Sequence, residues 1–86
     1  MIKDFTGHIE VGGETKYKRV SGTYEILVEP NGMKSWYGSF DILSGEIPEL
    51  VEGVLHTDKG EKGRIIVSRI THFSSEVEFQ GSGPIE

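Results

Sequence analysis

Three histidines, His8, His56 and His72, have the side chains best suited to chemistry in this sequence, because imidazoles joined by Asp or Glu ligate zinc. They fall on different predicted strands or loops, with no two at ligand spacing on one element. They are therefore read as surface histidines, with no metal centre and no cofactor expected. His56, beside Asp58 and opposite Lys62 in the predicted hairpin, has the most polar surroundings of the three. Nucleophilic catalysis has no candidate, since cysteine is absent and no serine stands in a G-x-S-x-G turn. The acid pairs Glu46 with Glu49 and Glu76 with Glu78 sit where a solvated loop and a polar strand face would put them. No catalytic residue is assigned, and the chain is not expected to be an enzyme.

The run Lys16-Tyr17-Lys18-Arg19 interleaves cations with an aromatic ring, as single-strand nucleic-acid binders do to track phosphate and stack bases. Strand alternation puts Tyr17 and Arg19 on one face and Lys16 and Lys18 on the other, which weakens that reading. So does the net charge of -5, since a polyanion partner calls for a basic surface.

The elements that would position these residues are strands. The chain lacks alanine, is rich in β-branched and aromatic residues, and carries twelve glycines. Eighty-six residues make one domain, whose core must hold without disulfides. No apolar run approaches the ~18 residues of a membrane span and no positively charged region followed by a hydrophobic segment stands at the N-terminus, so a cytoplasmic location is expected.

Turn signals at Gly12-Gly13, Pro30-Asn31-Gly32 and Asp58-Lys59-Gly60 divide a largely period-two pattern. They predict six strands near residues 3 to 11, 15 to 29, 33 to 43, 50 to 57, 62 to 71 and 75 to 80. Residues 44 to 49 form the loop between the halves, with room for one helical turn. A flexible tail is expected from about residue 81, where Gly81-Ser82-Gly83-Pro84 begins.

Glu29-Pro30-Asn31-Gly32-Met33 reads as a type I turn closed by a left-handed glycine. That geometry sets Ile26 opposite Trp36, Tyr24 opposite Gly38 and Gly22 opposite Phe40 on an inner face. Leu27, Glu25 and Thr23 then oppose Ser35, Tyr37 and Ser39 on the outer face. The same turn at residues 57 to 61 sets Leu55 opposite Gly63, Gly53 opposite Ile65 and Val51 opposite Val67. Glycines facing bulky side chains let a sheet coil, and a kink at Ser21-Gly22 would let the second strand pair first with one neighbour and then with the other. The first hairpin leaves two registers open, His8 or Ile9 opposite Tyr17.

The expected fold is therefore all-β, an antiparallel meander of about six strands curled into a barrel or half-barrel. Four apolar residues fall on its outer side: Tyr37, Leu27, Val54 and Ile66. They mark an interaction surface for a protein partner or a second copy of the chain, most simply a homodimer, unless the tail through Ile85 or residues 47 to 50 cover it. Trp36, Tyr24 and Arg69 are the alternative site, lining a small-molecule pocket at a barrel mouth. Arg69 shares the inward parity of Ile65 and Val67, unless a bulge between residues 67 and 70 turns Ile70 inward instead.

Overall fold

The computed structural model describes residues 2–43, 51–71 and 76–86. The loop expected over residues 44 to 49, together with His72, lies outside the described residues. The strands are β1 (Ile2–Val11), β2 (Glu14–Val28), β3 (Lys34–Ile42), β4 (Glu52–Thr57), β5 (Lys62–Ile70) and β6 (Glu76–Ser82). All six pair antiparallel and close into a barrel, in the order β1-β2-β3-β6-β5-β4. Each half of the chain is thus a three-stranded meander. Two long-range seams, β1 with β4 and β3 with β6, join the halves. Among the described residues no helix is long and apolar enough to cross a membrane.

The β2–β3 hairpin has the register its turn dictates, from Val20↔Ile42 to Val28↔Lys34. Gly32 takes a φ of 83° and donates its N–H to the Glu29 carbonyl at 2.9 Å. The Asn31 carboxamide oxygen accepts from the Met33 N–H at 3.0 Å. The β4–β5 hairpin repeats the plan with Gly60 at a φ of 92°, and it pairs Leu55 with Gly63 and Gly53 with Ile65.

The first hairpin combines the two registers that the pattern leaves open. Its tip is a two-residue turn with Val11 opposite Glu14, and both Gly12 and Gly13 have positive φ. A slip at Lys16 then brings Ile9 opposite Tyr17, and a second slip around Lys18 and Arg19 brings Gly7 opposite Val20. Each slip adds an unpaired residue to β2 and increases its coil. Tyr17 and Val20 consequently both point inward while Arg19 is exposed, which corrects the simple alternation expected for this run. As expected, β2 passes from one neighbour to the other, residues 14 to 17 pairing with β1 and residues 26 to 28 with β3. The change is not a sharp division at Gly22, because residues 20 to 25 pair with both.

The core consists of Phe5, Ile9, Tyr17, Val20, Tyr24, Trp36, Phe40, Ile42, Leu55, Ile65, Val77 and Phe79. Every strand also brings one glycine to the barrel's inner side: Gly7, Gly22, Gly38, Gly53, Gly63 and Gly81. At Gly22 a Cβ would overlap the Ser39 carbonyl oxygen and lie 2.6 Å from the Phe40 Cα. Such close approach of neighbouring backbones is what a narrow, strongly coiled barrel requires.

Candidate functional site

The barrel interior is occupied by its own side chains. The Trp36 indole lies against Gly63 and Gly81, where a Cβ on either glycine would collide with it. Its Nε1–H donates to the Gly83 carbonyl at 2.8 Å. It also meets Phe79 edge-on, with centroids 5.6 Å apart, and Tyr24 at 6.1 Å. The segment expected to be a flexible tail is docked. Strand β6 runs to Ser82, Ile85 packs on the core, and Glu86 exchanges two backbone hydrogen bonds with Lys62, each 2.8 Å.

Tyr24 is buried in its ring, and its hydroxyl donates to the Glu61 carboxylate, with both oxygens at 3.1 Å. Burial, then the Glu61 hydrogen bond, then the charge of Glu61 raise its phenol above the ordinary value of 10.0. The folded chain therefore holds this proton to higher pH than the unfolded chain does. The stability gained is complete below pH 10.0 and is lost as pH rises through the raised value. Replacing Tyr24 by Phe is expected to cost about 1 kcal/mol at neutral pH. Thermal melts carried from neutral to strongly alkaline pH should show the gap from wild type closing; a constant gap contradicts this assignment.

Arg69 does not join Trp36 and Tyr24. The strand slips between Val67 and Arg69, which turns Ile70 against the core and leaves Arg69 exposed opposite Glu78. Among the described residues no buried side-chain nitrogen or oxygen lacks a partner. The three residues expected to line a pocket are thus two packed rings with their polar tips engaged and one solvent-facing cation.

The outer face is more open. Cross-strand pairing aligns Ile2, Glu25, Tyr37, Gln80, Ile66 and Glu52 in one row running from β1 through β2, β3, β6 and β5 to β4. Tyr37 is 42% exposed and Ile66 48%, and Gln80 stands between them. The Tyr37 hydroxyl donates to Glu25 Oε2 at 2.7 Å, and that hydrogen bond, followed by desolvation and the carboxylate's charge, raises the phenol above its ordinary value. Beside this row lies an open groove of about 330 Å³ with Thr23, Glu25, Tyr37, Ser39, Glu78 and Gln80 on its walls.

Leu27 and Val54 occupy the next row, opposite Ser35 and Arg64 respectively. Each of six strands turns through about 60° of the barrel's circumference. Leu27 on β2 and Val54 on β4 therefore face well away from β6, and a flat partner covering Tyr37 and Ile66 reaches neither fully. Ile85 packs against the core, while Pro84 and Glu86 line a groove together with Val54 and Arg64.

The basic run loses its stacking platform, because Tyr17 is 2% exposed and only Lys16, Lys18 and Arg19 reach solvent. The histidines, by contrast, are brought together. His8 on β1 is directly opposite His56 on β4, and their rings stack at 4.7 Å with planes 6° apart. Glu10 Oε2 lies 3.3 Å from His56 Nε2. Among the described residues no three His, Asp or Glu side chains already converge as a metal-holding group. Spacing within one element gives no sign of this pair, since it depends on a seam between strands 48 residues apart, the separation of His8 and His56. Glu76 and Glu78 share the outer face of β6, opposite Asp41 and Ser39. No protein-family model, curated protein or solved structure matches this chain.

Proposed function

We propose that the protein is a small non-catalytic interaction module that binds a basic segment of a protein partner across β3, β6 and β5. The observation that carries this reading is the placement of Tyr37 and Ile66, both well exposed, on either side of Gln80. They are roughly 10 Å apart by strand spacing. An exposed aromatic and an aliphatic at that distance suit two anchor side chains of an extended segment. Among the described residues the interior is packed with core side chains, which supports the outer face over an interior site.

Charge selects the partner. The outward positions of β3 and β6 carry Asp41, Glu76 and Glu78, with Asp41 directly opposite Glu76. Strand β5 contributes Arg64 and, opposite Glu78, Arg69, so the acidic end of the surface is at Asp41 and Glu76. Like charges placed opposite each other destabilise a sheet, and a cationic partner relieves them. A second copy docking symmetrically through this face would instead set the same acidic patch of each copy into one shared interface.

Short synthetic peptides alternating lysine with valine or leucine are the probe. Tyr37→Ser and Ile66→Ser are each expected to weaken binding about tenfold, the effect of losing an anchor worth ~1.4 kcal/mol. Their melting temperatures should stay close to wild type. Equal affinity in all three proteins contradicts the proposal. So does a concentration-dependent dimer, seen by light scattering, that Tyr37→Ser abolishes, since a second copy would then own the face.

A further inference from the structure

We propose that His8, His56 and Glu10 form a binding site for a borderline divalent transition-metal ion, of which Zn²⁺ is representative, on the outer surface of the β1–β4 seam. Two independent observations carry this. The first is register: His8 and His56 are directly opposite, so their Cβ atoms are held within the roughly 4.5–5.5 Å typical of facing residues. The second is the separation of Glu10 Oε2 from His56 Nε2, 3.3 Å. Zinc binds imidazole nitrogen and carboxylate oxygen at about 2.0–2.2 Å, so two donors on one tetrahedral ion stand roughly 3.3–3.5 Å apart. This pair already has the spacing of a tetrahedron's edge.

The third donor needs one ring rotation. In the stacked arrangement the two imidazoles are parallel, with centroids 4.7 Å apart, so His8 does not yet aim at the point the other two share. Its side chain is only half-buried, which leaves the ring free to rotate about the Cβ–Cγ bond, and the proposal requires that such a rotation turn a ring nitrogen toward that point. Water would complete the tetrahedron. Two imidazoles and one carboxylate, with no thiolate in the chain, favour Zn²⁺, Cu²⁺ or Ni²⁺ over Mg²⁺ or Ca²⁺.

The surroundings temper the affinity. Lys62 is opposite His56 on β5, while Lys18 and Arg19 occupy the slipped stretch of β2 facing His8. These cations oppose a divalent ion, and Glu10, in contact with His56, partly offsets them. An ion bound here would tie β1 to β4 across a seam of four residue pairs, Gly7↔Thr57 to Glu10↔Val54. Metal binding and barrel closure would be linked.

Isothermal titration of the full, untagged chain with zinc chloride tests the site. One ion per chain is expected, with a rise in melting temperature that chelator reverses. His8→Asn and His56→Asn should each weaken binding at least ~10-fold, and Glu10→Gln should weaken it less, while His72→Asn should leave it unchanged. Imidazole ¹⁵N shifts of the wild-type protein give a readout independent of the variants' folding: nitrogens of both His8 and His56 should move on adding Zn²⁺. Absence of binding, one ion per two chains, unmoved His8 or His56 nitrogens, or loss of binding only with His72→Asn overturns the proposal.

Discussion

Replacing Gly22 by alanine is expected to leave the chain largely unfolded or to lower its melting temperature by roughly 10–20 °C. The new methyl group would overlap the Ser39 carbonyl oxygen and press on the Phe40 Cα, and both belong to backbone that cannot rotate aside. Strands β2 and β3 would have to separate where residues 20 to 25 of β2 are paired on both sides, so the damage reaches β1 as well. Overpacking of this kind costs about 1–3 kcal/mol or more, against a total stability of roughly 4–13 kcal/mol for a chain of this length. Gly12→Ala is the comparison, since its φ of 62° is strained for alanine but nothing lies within 4 Å of the added atom. It should cost only about 1 kcal/mol. Calorimetric melts of the two variants decide the matter, and a Gly22→Ala midpoint within ~3 °C of wild type would mean that the strands do not approach so closely.

Removing the indole is the second large effect. Trp36→Ala is expected to cost about 3–5 kcal/mol, the range for deleting a buried aromatic side chain. It would empty the space over Gly63 and Gly81, which have no side chains with which to refill it. It would also strip the Gly83 carbonyl of its donor and loosen the terminal segment, where Ile85 packs on the core. Trp36→Phe keeps most of the packing and loses the hydrogen bond, so a loss of about 1–2 kcal/mol is expected. The neighbouring Tyr37→Ser should move stability by no more than about 0.5 kcal/mol, because its ring lies outside the barrel. Denaturant titrations followed by circular dichroism measure all three. A reversed ranking, with Tyr37→Ser the most damaging, would mean that the register of β3 is wrong by one residue.

How much of this was legible in the sequence follows from what local chemistry specifies. The turn at Pro30-Asn31-Gly32 determines its own register, and through period two it separates inward Trp36 from outward Tyr37. Asp58-Lys59-Gly60 does the same for Leu55 and Ile65. A hairpin turn says nothing about strands it does not join, so the seams β1–β4 and β3–β6 were invisible, and with them the meeting of His8 with His56 and the row from Tyr37 to Ile66. The slips at Lys16 and at Lys18 and Arg19 were hidden for a related reason: an extra residue in a bulge leaves no compositional trace in a run of lysines and arginines. Gly81-Ser82-Gly83-Pro84 has the composition of a loose tail. Here Gly81 makes room for an indole, while Gly83, at a φ of 79°, offers that indole a carbonyl. Composition alone does not separate a glycine that provides freedom from one that provides space.

The proposed binding surface is the outside of β3, β6 and β5 on a packed barrel. Chemical-shift mapping of the ¹⁵N-labelled protein against the lysine-alternating peptides tests it most directly. The expected result is a set of perturbed amides centred on residues 35–39, 64–68 and 78–82, with the Trp36 indole N–H unmoved. Perturbations centred on Lys16 to Arg19 or on the Trp36 indole, or none at saturating peptide, would contradict it.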